Sequence, residues 1–268
     1  MLFTYVDSTR AMSHILWKSD YKRDVVYLHV LSRTRSRGVV NISPFAIKLE
    51  LFLRINGIPF QTVDCDDFSS KQQSHFVLFN GEEIADHNHI IQHVSGVFCK
   101  DPYPGYGLTE RAVGRAFMKM LEENTIWPIF IYRFIEHKDE YDSYIYPDCS
   151  REEKKKIIDK LQDLFERRAI GHGISRHSSD EIQTIGCEDV KALSDFLGSK
   201  QYLLGDRPSV VDCSLFGVLS QVLYVPIGYP MRTFLLDKCP NLVNLINRLR
   251  ETFWANWNEE CGIQVTQF

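Results

Sequence analysis

Residues 41–63, NISPFAIKLELFLRINGIPFQTV, contain a helix start, a helix and the strand that follows it. Ser43 before Pro44 is a typical helix start, because serine caps the first turn and proline fits the first helical position. Apolar residues continue at helical spacing until Gly57, a residue typical of helix ends. The β-rich segment at residues 58–63 then predicts a strand.

Further strands are predicted on both sides of this helix–strand unit. VVYLHV at residues 25–30 precedes the unit and HFVLF at residues 75–79 follows it. Asn80-Gly81 is a strong hairpin signal and leads into a short fourth strand. Asp86 is then placed to cap a second helix. The order strand, helix, strand, hairpin, helix predicts a small α/β domain.

Strand signals are absent from about residue 107 onward, where helical patterns dominate. Thr109 opens a long helix that Pro128 is expected to kink, since proline removes one helical hydrogen bond. Serine followed three residues later by an acidic residue predicts further helix starts. These pairs are Ser150 with Glu153, Ser178 with Glu181, and Ser209 with Asp212. We therefore predict a polar leader at residues 1–24, an α/β domain at 25–100 and an all-helical domain at 105–268.

The composition is that of an ordinary globular protein, with 44% hydrophobic and 25% charged residues. A net charge of −4 argues against the basic surface that nucleic-acid binding requires. The seven cysteines are scattered, without a C-x-x-C pair, which favours a reducing compartment over a disulfide framework. The leader lacks a signal-peptide core, and no apolar run has the length of a membrane span. We expect a cytoplasmic protein without a membrane segment.

Several segments in order resemble the glutathione transferase superfamily. They are DVVYLH, RTRSRG with NISPFAIKLELFLRINGIPF, NGEEIADHNHII, GHGISRHSSDEI, LLGDRPSVVDCSLFGVLSQVLYVP and CPNLVNLINRLRETFW. Within that superfamily they resemble the branch of failed-axon-connections and cadmium-responsive proteins, with metaxins as more distant relatives. The resemblance implies a thioredoxin-like domain followed by a helical bundle. It implies glutathione as a co-substrate, without a tightly held cofactor.

The resemblance places Ser43 where a hydroxyl or thiol stabilises the thiolate of bound glutathione. Neither position 43 nor position 46 is a cysteine, so thiol–disulfide exchange through this motif is excluded. A hydroxyl at a helix N-terminus can stabilise a thiolate, because the helix dipole favours negative charge there. Ser43 can equally be a plain N-cap that contributes about 1 kcal/mol to stability. The sequence leaves both interpretations open.

The resemblance also implies that Ser74 and His75 pair with the glutathione peptide, and that Asp86 and His87 hold its γ-glutamyl end. His75 stands where the family carries a cis-proline, and His87 replaces the usual serine. A cis bond without proline costs about 3 kcal/mol, so we expect a trans Ser74–His75 peptide, which argues against glutathione binding. Asp86 also has a simpler interpretation as a helix N-cap.

Arg33, Arg35 and Arg37 alternate along the loop after the first strand. In an extended loop they would point the same way and could bind a carboxylate or phosphate. The alternative is a solvated charged loop, the usual role of such a run.

His87, His89 and His93 form an H-x-H-x-x-x-H pattern. His89 and His93 share a helix face at a spacing that can chelate a metal. No cysteine lies nearby, whereas a soft ion such as cadmium prefers thiolates. We therefore predict surface histidines and no metal site.

Three functions compete. The first is a non-catalytic or weakly ligand-binding member of the branch that acts in stress response or axon development through an unidentified protein partner. The second is an active glutathione transferase in which Ser43 stabilises the thiolate and the helical domain binds a small electrophile. The third is metal sequestration. We expect Ser209 and Asp212 to cap the central helix, and the fold is compatible with a homodimer.

Overall fold

The computed structural model describes residues 18–31, 38–65, 68–71, 73–142, 144 and 150–261. Its first part contains a four-stranded mixed sheet in the order β2-β1-β3-β4. The strands are β1 (Val26–Val30), β2 (Phe60–Asp64), β3 (Phe76–Phe79) and β4 (Glu82–Ala85). β1 and β2 are parallel, as expected for strands joined through a helix, whereas the β1–β3 and β3–β4 pairs are antiparallel.

The α-helices of the described chain are α1 (Pro44–Ile55), α2 (His87–Val97), α3 (Leu108–Lys119), α4 (Ile126–Ile131), α5 (Lys138–Asp142), α6 (Arg151–His172), α7 (Ser179–Leu197), α8 (Val210–Leu223), α9 (Pro230–Lys238), α10 (Pro240–Phe253) and α11 (Trp257–Glu260). α1 lies between β1 and β2, and α2 follows β4, in the predicted order. The rest of the described chain is mainly helical. The sequence-based fold class, an α/β domain followed by a helical bundle, is confirmed. No helix among the described residues has the length and apolar character needed to cross a membrane.

The two parts of the chain meet mainly where α1 packs against α8. Every residue of α8 is buried, so this helix forms the centre of the helical part. Gly217 in α8 permits the close approach, because a Cβ atom there would lie 2.3 Å from the carbonyl oxygen of Pro44. The contact places the first turn of α1 directly against the helical bundle.

The distortion expected at Pro128 takes the form of two π-helical segments on either side of α4. They span Met120–Thr125 and Tyr132–Glu136. Pro128 has no N–H to bond the carbonyl of Asn124, so the preceding turn is not held in α-helical register. The first of these segments carries Glu122, whose side chain is buried at the contact with α1.

Candidate functional site

Three segments that the sequence assigned to a ligand site meet around Phe45, in the first turn of α1. The Phe45 ring stacks on His87 with ring centroids 4.4 Å apart, and its centroid lies 5.8 Å from that of His75. Ser43 caps the same helix turn. Arg33 and Arg35 lie outside the described residues, as does Arg37, so their proposed role stays a prediction.

Ser43 is the N-cap of α1. Its Oγ accepts a hydrogen bond from the backbone N–H of Ala46 at 3.4 Å, and its own N–H donates to Asn41 Oδ1. The Asn41 carbonyl accepts from Gln221 of α8, which ties this loop to the helical bundle. Since the capping bond uses Oγ only as an acceptor, the hydroxyl proton can still be donated to a ligand. The structure is therefore compatible with both interpretations of Ser43.

His75 is only 5% exposed, and the peptide that joins it to Ser74 is trans, as expected. Neither nitrogen of its ring has a hydrogen-bond partner among the described residues. Burial lowers the pKa of His75 to about 3, and repulsion from His87 adds to this effect. The imidazole is therefore a neutral, buried polar group without a hydrogen-bond partner among the described residues.

Asp86 is the N-cap of α2. Its Oδ1 accepts hydrogen bonds from the backbone N–H groups of Asn88 and His89, at 3.0 and 3.1 Å. Its backbone has φ +86°, a region that costs a non-glycine residue about 1–3 kcal/mol. Burial raises the pKa of Asp86, but the hydrogen bond from His89 and the proximity of His87 hold it below the usual value. Asp86 is therefore a carboxylate at this helix terminus.

A buried ion pair behind these residues joins α1 to the helical bundle. Lys48 Nζ lies 2.5 Å from Glu122 Oε1, and the side chains are only 1% and 2% exposed. Ser214 Oγ of α8 donates to the same carboxylate oxygen at 2.8 Å. Asn88 in α2 contacts both charged groups, with Oδ1 2.8 Å from Lys48 Nζ and Nδ2 3.2 Å from Glu122 Oε2. The start of α2 is thus held by both parts of the chain.

Burial and the attraction between opposite charges act against each other in this pair. Burial lowers the pKa of Lys48 below that of a solvated lysine, and the Glu122 charge opposes this effect. Burial raises the pKa of Glu122, but the contact with His87 and the Lys48 charge outweigh it and keep this pKa well below the usual range. Sequence reasoning missed this network. Its one signal was that Lys48 and Glu50 interrupt a helix that is otherwise almost wholly apolar.

Asp212 and Ser209 lie at the start of α8 and are not part of the ligand site. Asp212 is fully buried and accepts hydrogen bonds from Leu203 N, Ser209 N and Ser209 Oγ at 2.8–2.9 Å. Burial raises the pKa of Asp212 to about 6, although these hydrogen bonds oppose the shift. The geometry agrees with a capping role in the central helix.

The histidines of α2 diverge instead of forming a common site. His89 is exposed, with Nδ1 3.2 Å from Lys71 Nζ, whereas the His93 ring packs edge-on against Phe79. In the part of the chain that the structure describes, no group of three histidine, cysteine or acidic side chains is arranged to hold a metal ion.

Comparison with known proteins now defines the class. A family model described as the glutathione S-transferase N-terminal domain matches residues 44–140, and one for the C-terminal domain matches residues 186–249. A solved beta-etherase, LigF of Sphingobium sp. strain SYK-6, has the same fold, with a TM-score of 0.61 at 18% identity over 84% of this chain and 94% of that one. The chain belongs to the glutathione S-transferase-like proteins.

Within this class the chain is similar to Failed axon connections of Drosophila melanogaster, with 32% identity over 260 residues. That match covers 91% of this chain but 62% of the relative, so the chain spans about three fifths of that protein's length. It is also 26% identical to isoprene-epoxide–glutathione S-transferase of Rhodococcus sp. strain AD45, over 81% of this chain and 94% of the relative. The branch inferred from the sequence is thereby supported.

Glutathione is bound in a solved structure that shares this fold. A glutathione S-transferase of Ceriporiopsis subvermispora in complex with glutathione matches 85% of this chain and 97% of its own, with a TM-score of 0.57 and 13% identity. At this identity the match establishes only the shared fold.

Proposed function

We propose that the protein binds glutathione, or a related thiol peptide, weakly and without efficient conjugation. The observation that carries this proposal is the chemistry of the first turn of α1. Ser43 is used as the N-cap and neither position 43 nor position 46 supplies a thiol. In contrast, the start of α2 offers the Asp86 carboxylate and the His87 ring to the other end of a peptide ligand. The start of α2 therefore has groups that can recognise a peptide ligand, whereas the start of α1 has no thiol that could take part in chemistry.

The similarity to Failed axon connections supports a role in axon development or a stress response through a protein partner. This role would be exercised in the cytoplasm, and a homodimer is compatible with the fold. These assignments are proposals, because this chain spans only part of that relative.

The test is isothermal titration of the purified protein with millimolar glutathione, together with a conjugation assay using a general aryl halide electrophile. We expect weak binding and no turnover above the uncatalysed rate. Ser43→Ala should leave the affinity within about twofold, because the proposal assigns ligand recognition to the start of α2 and gives Ser43 only the capping role. Ser150→Ala is the matched control, because it removes the N-cap of α6 far from the site. Robust conjugation by the wild type would overturn the proposal.

An active transferase is the second candidate, favoured by the hydroxyl proton that Ser43 retains beside the N-terminus of α1. The similarity to isoprene-epoxide–glutathione S-transferase adds support and suggests an epoxide as the electrophile to test. In this case Ser43→Ala should lower turnover by about 10²–10³-fold, the usual effect of losing one group that stabilises a developing anion. Ser150→Ala should leave turnover unchanged. Equal effects of the two substitutions would exclude a special role for Ser43.

A further inference from the structure

The side-chain amide of Asn88, the second residue of α2, has an orientation fixed by Lys48. Lys48 Nζ lies 2.8 Å from Asn88 Oδ1, and an ammonium group can only donate hydrogen bonds. The amide oxygen must therefore face Lys48, since the reverse orientation would bring two donors together. Asn88 Nδ2 consequently faces the other way, 3.2 Å from Glu122 Oε2 and 3.0 Å from His87 Nε2.

This amide orientation decides which nitrogen of the His87 ring carries the hydrogen. Asn88 Nδ2 is only a donor and is the nearer partner of His87 Nε2, at 3.0 Å, which favours Nε2 as the acceptor. Glu122 Oε2 lies farther from His87 Nε2, at 3.3 Å, and already accepts from Asn88. A hydrogen on Nε2 would have to turn away from the nearer group, Asn88 Nδ2, toward Glu122 Oε2. We therefore expect the neutral form of the His87 ring to carry its hydrogen on Nδ1.

The His87 ring also has aromatic neighbours. Phe45 stacks on it at an interplanar angle of 11°, and the neutral His75 ring lies 5.8 Å away. Within the described residues, His87 Nδ1 makes no hydrogen bond, and both nitrogens of buried His75 also lack partners. Of the ring nitrogens around Phe45, His87 Nδ1 is thus the one that a polar ligand would satisfy.

We infer that Lys48, acting through Asn88, positions His87 as the Nδ1–H tautomer and so provides a hydrogen-bond donor at Nδ1 for a ligand carboxylate at the start of α2. Lys48 is therefore a positioning residue, and its charge is already matched by Glu122. The carboxylate part of this inference rests on the proposed function, whereas the tautomer does not. The serine that the superfamily usually carries at this position can turn its hydroxyl to several directions. The His87 ring, in contrast, donates from Nδ1 in one direction, which its contact with Asn88 sets.

The tautomer is tested by long-range ¹H–¹⁵N correlation spectra of the histidine rings in the full chain, recorded at a pH where the rings are neutral. The His87 signals are identified by their loss in His87→Gln. We expect wild-type His87 to carry its hydrogen on Nδ1. An Nε2–H signal for wild-type His87 would overturn the inference.

Asn88→Leu tests the path through the amide. Without Asn88, the nearest described partner of His87 Nε2 is Glu122 Oε2, so His87 should change to the Nε2–H tautomer. Gln92→Leu is the matched control, because it places the same side chain at an exposed position of the same helix and should leave the tautomer unchanged. If Asn88→Leu does not fold, the double substitution Lys48→Met/Glu122→Leu replaces it. Both tautomers should then be populated, and a retained Nδ1–H form would show that Lys48 plays no part.

Titration with glutathione separates this inference from the proposed function. We expect the His87 Nδ1 signal to move during the titration in the wild type and in Gln92→Leu. Calorimetric binding without movement of that signal would overturn the donor role of His87 while leaving weak glutathione binding intact. Absence of both heat and signal change would overturn glutathione binding and its carboxylate contact, but the Nδ1–H tautomer would stand on the ligand-free spectra.

Discussion

Two buried polar side chains close to the start of α2, Glu122 and His75, differ in their hydrogen bonding. Glu122 is bonded through both carboxylate oxygens, to Lys48 and Ser214 on one side and to Asn88 on the other. His75 is equally buried, yet neither of its nitrogens has a partner among the described residues. A buried polar group without a partner costs about 1–3 kcal/mol, so such groups are rare in native proteins. The comparison indicates that Glu122 serves the structure, whereas the ligand role of His75 stays a prediction.

Removing one member of the ion pair should have the largest effect. Glu122→Leu leaves the Lys48 ammonium buried without its counter-ion, and we expect the free energy of unfolding to fall by about 3–5 kcal/mol. The double substitution Lys48→Met/Glu122→Leu should return it to within about 1 kcal/mol of the wild type, because a well-packed apolar pair avoids desolvation of two charges. Urea denaturation measures both values.

The neighbouring surface pair is the control for this cycle. Lys119 and Glu123 form an exposed ion pair on the next turn, and its removal should change stability by less than about 1 kcal/mol. A double variant at Lys48 and Glu122 that is as unstable as Glu122→Leu alone would show that the pair is not replaceable by packing.

Asp212→Ala should have an intermediate effect on the free energy of unfolding. It extends the comparison to a buried carboxyl group in the core of the helical part. Asp212→Ala leaves the buried N–H groups of Leu203 and Ser209 without an acceptor, and we expect a loss of about 2 kcal/mol near pH 7. The folded-state pKa of about 6 lies above the ordinary 3.8. Protonation of Asp212 therefore favours folding fully below about pH 4, and this contribution is lost as pH rises through about 6. The penalty of Asp212→Ala should accordingly be greater near pH 4.

The pH dependence distinguishes the capping contribution of Asp212 from the effect of burying its carboxyl group. Urea denaturation of wild type and variant at several pH values between about 4 and 7 gives the difference directly, since all other titrating groups cancel. A constant difference across this range would contradict the raised pKa of Asp212.

His75→Leu should have the smallest effect and the opposite sign. It removes a buried polar group that has no hydrogen-bond partner among the described residues, so we expect a gain of about 1 kcal/mol at neutral pH. His75 in the unfolded chain takes up a proton near pH 6.5, whereas in the folded protein its pKa is about 3. Wild-type stability is therefore lost as pH falls between these values, and the advantage of the variant should grow in that range.

His89→Leu, at an exposed position of α2, should change stability by less than about 0.5 kcal/mol at any pH in this range. If His75→Leu instead destabilises the protein by more than about 1 kcal/mol, His75 has a structural partner and the contrast with Glu122 disappears. If the variant is stabilised but loses glutathione binding, the assignment of His75 to a ligand is strengthened.

The sequence by itself determined the elements and their starts. Ser43, Asp86, Ser150 and Ser178 cap their helices as the patterns predicted, because a cap bonds backbone groups only two or three residues away. The hairpin at Asn80 was equally predictable, since Asn80 and the following glycine adopt the positive φ values that such turns require. The order of these local signals was enough to indicate the fold class and the family.

The tertiary structure alone decided the site around His87. Lys48 and Glu122 are 74 positions apart in the chain, and they meet only because α1 packs on α8 and a π-helical turn carries Glu122 to the contact. The orientation of Asn88 and the tautomer of His87 follow from that contact. Likewise, a histidine at position 75 could be noticed in the sequence, but its lack of a partner could not. Burial and hydrogen-bond partners depend on distant residues, whereas capping and turn signals are local.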